Sequence, residues 1–200
     1  MQREQRGKWV RLPVEVRANE DGILTVEGYA SVFNEETNIG GLFRERIAPG
    51  AFTDAIKRDD VVFLINHDGL PLARSRGGEG TLELIEDDHG LHMRTELDPS
   101  DPDVRSIAGK MRRGDLDKMS FAFLPSDEDW DDSGDLPLRT VRSASLFDVS
   151  IVTSPAYEGT EIGLRSLNDF RRVSARKNFN AMRLRQALEI NLAQRENGVV

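Results

Sequence analysis

Apolar positions recur along this chain in short stretches with a two-residue period, broken by polar turns. Val10, Leu12, Val14 and Val16 share one face of a predicted strand over residues 9–17, interrupted by Pro13. A turn at 19–22 leads into a second strand over 23–33, in which Gly28 marks a bulge or a close approach. A loop follows at 38–41. Phe52, Ala55 and Ile56 then fall at helical spacing in a short helix over 49–58. Residues 61–65 are apolar throughout, as in a buried strand. Gly77, Gly78 and Gly80 form a turn, and 81–85 with 91–97 make a hairpin around Asp87, Asp88, His89 and Gly90.

The second half adds a clear helix over 103–113. Val104, Ile107, Ala108 and Met111 line one face, Ser100 or Asp101 caps it, Pro102 suits its first turn and Gly114 ends it. Residues 116–124 alternate as a strand, 126–135 are acidic and read as a mobile loop, and two more strands cover 139–143 and 146–153. Residues 165–177 read as a linker. An amphipathic helix over 178–195 carries Met182, Leu184, Leu188 and Leu192. Many strands with few helices predict an α+β or β-rich barrel fold rather than a doubly wound sheet.

Composition narrows this picture. Two hundred residues with 38% hydrophobic content suit one domain plus an arm or tail, here 1–164 and 165–200. The absence of cysteine excludes disulfides, thiolate catalysis and cysteine-bound zinc, and fits a reducing compartment. No apolar run approaches the roughly 20 residues of a membrane span, and polar residues 1–6 do not resemble a secretory signal. The net charge of −8 is uneven. Residues 165–200 hold eight basic against three acidic side chains, leaving 19 basic against 32 acidic in the rest. An acidic body is not built for nucleic acid, whereas a basic tail suits docking or assembly. A plain solvated tail would have the same composition.

One serine carries the candidate chemistry. In Lys118-Met119-Ser120-Phe121-Ala122-Phe123, alternation sends Met119, Phe121 and Phe123 to one face and Ser120 and Ala122 to the other. Asn66-His67-Asp68 follows the apolar run 61–65, and Asp148 interrupts the apolar stretch 146–152. Serine, histidine and acid at strands or strand ends are the ingredients of nucleophilic catalysis. By itself a strand serine is most often structural, and each of these residues has such a reading. Asp68 competes for the acid role, but its position directly after His67 would point it away. His67, Asp68, His89 and His92 also offer imidazole and carboxylate ligands for zinc, without the helical HExxH pattern.

The ordered blocks resemble the tailed-phage prohead (head maturation) serine proteases over about residues 14–164. They are Gly28-Tyr29-Ala30-Ser31-Val32-Phe33, Ile47-Ala48-Pro49-Gly50-Ala51-Phe52, Asn66-His67-Asp68 with Pro71-Leu72-Ala73-Arg74, and Gly80-Thr81-Leu82. Asp88-His89-Gly90-Leu91, Arg113-Gly114-Asp115-Leu116, Met119-Ser120-Phe121-Ala122-Phe123 and Asp148-Val149-Ser150-Ile151-Val152-Thr153 with Ser154-Pro155-Ala156 complete the series. No block is specific alone; their order and spacing are.

The resemblance implies a closed β-barrel with surrounding helices, similar to herpesvirus assemblin. It implies a serine endopeptidase without cofactor or metal, working inside the assembling prohead in the bacterial host. The implied substrates are scaffold, the scaffolding arm of the major capsid protein, and the protease itself. It carries Ser120 over as nucleophile, His67 as general base and Asp148 as third member. The assemblin relatives use a second histidine there, for which His89 and His92 are the candidates. By the same analogy the chain is a dimer, and the tail is a docking or self-cleaved segment. Ala73 and Ala122 stand where many members have glycine, which would narrow the substrate cleft, and Asp148 stands where many have glutamate. The loop around Arg74 and Ser75 is one place to look for oxyanion donors. The competing reading is a non-catalytic capsid assembly or scaffold protein on a degenerate protease fold.

Overall fold

A computed structural model describes residues 3–8, 14–18 and 23–154, and, further on, 166–173, 175, 176, 179, 181–183 and 185. The chain divides into two units, 1–160 and 161–200. In the second unit residues 166–173 are helical where a linker is predicted, because Leu167, Phe170 and Val173 recur at helical spacing. Most of the amphipathic helix predicted over 178–195 lies outside the described residues.

The first unit contains twelve strands and two helices among its described residues. In chain order these are β1 (Glu4–Lys8), β2 (Glu15–Ala18), β3 (Leu24–Val32), β4 (Thr37–Ile39), β5 (Phe43–Ile47), α1 (Thr53–Arg58), β6 (Asp60–Ile65) and β7 (Asp68–Arg76). They continue with β8 (Glu79–Gly80), β9 (Leu82–Glu86), β10 (Gly90–Leu97), α2 (Pro102–Arg112), β11 (Lys118–Asp131) and β12 (Leu138–Val152). The strand-rich α+β expectation holds. Hydrogen bonding among the described residues does not close a ring, however. It divides into an eight-stranded sheet, with the path β1-β11-β12-β6-β7-β8, and a four-stranded sheet, β2-β3-β10-β9. The larger sheet ends at β8 on one side and at β1 on the other, and β9 pairs with β10 in the smaller sheet.

β12 is the hub. It pairs antiparallel with β11 along most of its length, and parallel with β5 through residues 138–141 and with β6 through 148–151. The two strands predicted over 139–153 are thus one strand. The acidic segment 126–135 is not a loop over most of its length, since β11 runs on to Asp131. Its polar residues suit an exposed ribbon, where Trp130 packs edge-on to Phe43 at 5.1 Å. Register shifts near Phe123 and Asp127 absorb the length as bulges.

Helix α2 follows its sequence signals. The Asp101 carboxylate accepts from the Asp103 amide at 2.8 Å, Pro102 opens the first turn, and the four predicted apolar residues are buried. The shorter α1 starts four residues past Pro49, and the Glu86 carboxylate accepts from the Phe52 amide at 2.9 Å. Phe52, Phe63, Phe121 and Phe123 are at most 4% exposed, each worth about 1.5–3 kcal/mol of burial. Their packing fixes the inner face of the strands that carry the polar candidates.

Gly28 does not make the predicted close approach, since a Cβ there would lie at an ordinary van der Waals distance of 3.5 Å from the Val14 Cα. The bulge of β3 falls instead at Ala30, which the register with β10 skips. The close approach falls at Gly90, where a Cβ would meet the Ser31 carbonyl oxygen at 2.0 Å. Gly90→Ala should therefore destabilise the fold by about 1–3 kcal/mol through overpacking, read as a lower urea midpoint.

Candidate functional site

Three elements of the larger sheet converge on one polar cluster. In the β11–β12 register Ser120 faces Ser150 and Ala122 faces Asp148. Cross-strand partners project to the same side, so these four residues share one face while Met119, Phe121, Val149 and Ile151 turn into the core. On the other flank of β12, Asp148 pairs with Val62 and Ile151 with Ile65. The end of β6 is thereby set beside the acid.

His67 reaches the cluster through a tight turn. Asn66 and His67 link β6 to β7 with φ of 52° and 60°, and Ile65 pairs with Asp68 across them. Two successive positive φ values are what a type I′ hairpin turn requires; asparagine tolerates them well and histidine less so. Two contacts, one to β12 and one to the residue just after it, hold the turn. The Asn66 amide donates to the Ile151 carbonyl at 2.9 Å, and the Thr153 amide donates to the Asn66 side-chain oxygen at 3.0 Å.

The imidazole bridges the other two candidates. His67 Nε2 lies 2.6 Å from Ser120 Oγ, and His67 Nδ1 lies 2.6 Å from Asp148 Oδ1. Ser150 Oγ donates to the same Asp148 oxygen at 2.7 Å and sits 3.2 Å from His67 Nδ1. Ser120 and Ser150 are fully buried, Asp148 is 4% exposed, and the His67 side chain is 5% exposed. With Nδ1–H donating to the carboxylate, Nε2 is left as an acceptor toward the serine hydroxyl. Such a chain can take the hydroxyl proton during attack and return it to a leaving group.

The remaining candidates lie elsewhere. His89 and His92 flank Tyr29 on the smaller sheet, with ring centroids 4.5 and 4.9 Å away. Asp68 occupies the first position of β7 and is exposed. Among the described residues no group of three or more His, Asp or Glu could hold a metal ion, so the four residues of the zinc reading do not converge. Ala73 faces Phe63 within the core and does not narrow a cleft. Asp148, although shorter than glutamate, reaches His67 without difficulty. The Arg74 amide donates to Thr81 Oγ1 at 3.1 Å and is engaged there, not offered to an oxyanion. Ser75 pairs with Val61 and is buried, its hydroxyl without a hydrogen-bond partner.

Sequence reading missed two participants. Ser150 stands two residues after Asp148, so strand alternation alone would have placed it on the same face. The second is the backbone of Arg6 in β1, whose carbonyl oxygen accepts from Ser120 Oγ at 2.7 Å. A backbone carbonyl has no sequence signal.

A buried hydroxyl, imidazole and carboxylate linked in that order on a strand-rich α+β scaffold form the arrangement used by serine hydrolases. A family model described as Caudovirus prohead serine protease matches residues 12–174, and the chain belongs to that family. The prohead protease of Enterobacteria phage HK97 is 29% identical over 149 residues, covering 72% of this chain and 61% of that protein. The aligned region thus spans less than two thirds of that relative. No solved structure matches significantly. Among the described residues, no helix is long and apolar enough to cross a membrane.

The Asn66 turn can be tested without an activity assay. Asn66→Ala removes the acceptor for Thr153 and a side chain suited to positive φ. It should lower unfolding free energy by about 1–2 kcal/mol in urea titration.

Proposed function

We propose that this chain is a serine endopeptidase of phage head maturation. Ser120 is the nucleophile, His67 the general base and then general acid, and Asp148 the group that orients and stabilises the imidazolium. The observation that carries this reading is the pair of 2.6 Å contacts at the two ring nitrogens of His67. Ser150 acts as a positioning residue, since its hydroxyl shares the Asp148 oxygen that holds the ring.

Attack on a peptide carbonyl by Ser120 Oγ sends the hydroxyl proton to Nε2. Collapse of the tetrahedral intermediate returns that proton to the departing amine. Water then hydrolyses the acyl-serine by the same route in reverse. Family membership supports scaffold or the scaffolding arm of the capsid protein as substrates, with self-cleavage alongside. The same membership supports action within the assembling prohead.

Ser120→Ala and His67→Ala should each reduce cleavage of capsid or scaffold partners by at least about a thousandfold with the fold retained, measured by gel and circular dichroism. Wild-type cleavage in the Ser120→Ala chain would overturn the assignment. Ser150→Ala should cost about tenfold in kcat, because the ring keeps its carboxylate but loses one fixed partner.

A further inference from the structure

Beside the nucleophile, the open edge of β11 is occupied by β1. The strands run antiparallel, with Gly7 opposite Ser120, Arg6 opposite Phe121 and Glu4 opposite Phe123. The segment before Gly7 therefore lies along the residues that follow the nucleophile, the strand-addition mode by which extended peptides bind a sheet edge. The register also puts the Arg6 carbonyl at the serine, with its oxygen 2.7 Å from Ser120 Oγ.

The side chains of β1 enter charged pockets built by other elements. Arg6, 5% exposed, donates through Nε to Glu45 Oε1 at 2.6 Å and through Nη2 to Glu45 Oε2 at 3.1 Å. Glu4 is fully buried and accepts from Arg139 Nη1 and Nη2 at 2.8–3.0 Å. Arg6 and Glu4 also pair with each other. Glu45 stands on β5 and Arg139 on β12, so both pockets belong to the body of the protein. Arg139 Nη1 is 2.9 Å from Glu45 Oε2 and Arg139 also contacts Glu128, so each pocket charge keeps an opposite charge when β1 is withdrawn. Burial alone would pull the Arg139 pKa down, but the surrounding carboxylates of Glu4, Glu45 and Glu128 hold it above its ordinary value. A small cavity beside Arg6, lined in part by Ser31, Thr37, Glu45 and Arg46, gives that side chain room.

We infer that Glu45 and Arg139 set the specificity of this site. They select peptides with arginine at the attacked carbonyl and glutamate two residues before it, and β1 is the resident occupant of that cleft. The inference rests on the serine-endopeptidase reading and adds its substrate class. In a bound Glu-x-Arg-Gly peptide, Ser120 Oγ bonds to the arginine carbonyl carbon as its proton passes to His67 Nε2. The carbon–nitrogen bond to glycine breaks and the amine leaves with that proton. Water then cleaves the ester, restoring Ser120 and releasing an arginine carboxylate. In the resident strand the one hydroxyl proton faces two acceptors, the Arg6 oxygen and Nε2. Donation to the carbonyl leaves the serine unactivated.

The test uses the full chain with Glu4→Ala/Arg6→Ala, which empties both pockets while removing one charge of each sign. Its probes are a fluorophosphonate and a quenched fluorogenic peptide of sequence Gln-Arg-Glu-Gln-Arg-Gly-Lys-Trp. The variant should label at Ser120 at least about tenfold faster than wild type and cut the peptide between arginine and glycine. Alanine in place of the peptide's second arginine should lower kcat/KM about a hundredfold. Glu45→Gln in the same background should lower it far more for the arginine peptide than for the alanine peptide, closing most of the gap between the two. Equal cleavage of the two peptides by a chain that labels at Ser120 would overturn the specificity assignment and leave the hydrolase standing. Absence of labelling in both chains would overturn the hydrolase reading and this one with it. Should circular dichroism show that the double alanine variant is unfolded, Glu4→Gln/Arg6→Met serves the same comparison.

Discussion

The register between β11 and β12 is the constraint on which the site depends. Pairing Ser120 with Ser150 and Ala122 with Asp148 puts every polar participant from these strands on one face. A slip of one residue on either strand would turn its polar residues into the core and its aromatic residues outward. Phe121, Phe123, Val149 and Ile151 make that slip costly, because each is at most 4% exposed and belongs to one continuous core. The apolar face therefore acts on the polar face without touching it.

Histidine enters through a different device. Its backbone adopts a left-handed conformation, a choice that carries strain for a non-glycine residue. That strain is offset by the backbone contact of Asn66 with β12, the strand that also carries Asp148, and by its side-chain contact with Thr153 just beyond. The turn and the acid are thus fixed to one support. A short turn pinned to the central strand holds the ring within hydrogen-bond reach on both nitrogens better than a long loop would.

Burying the Glu4, Arg6, Glu45 and Arg139 charges costs several kcal/mol per ion before pairing, and opposite charges around each one offset it. This is a specific arrangement more than a stabilising one. An apolar strand could cover the β11 edge at lower desolvation cost. What the charges provide is a fixed position for the backbone between Glu4 and Arg6, and with it the placement of a carbonyl at Ser120.

Much of the fold was legible along the chain. The β9–β10 hairpin, α2 with its Asp101 cap, and the strands around Ser120 and before His67 all follow local periodicity and turn chemistry, which act within a few residues. Ser120, His67 and Asp148 could be named as candidates because residue type and strand position are local properties. Their distances could not, since they arise from pairings between positions 53 to 83 residues apart. The length of β11 and β12 was hidden because acidic residues 126–131 read as a loop until a partner ribbon supplies their hydrogen bonds. β1 was invisible for the same reason: Glu4-Gln5-Arg6-Gly7-Lys8 carries no apolar period, and only the unpaired edge of β11 and the charges of Glu45 and Arg139 make a strand of it. The sequence by itself determined which residues can do chemistry and which faces must be buried. Tertiary structure alone decided which of them meet, because long-range register and buried charge pairing are not written in any local stretch of chain.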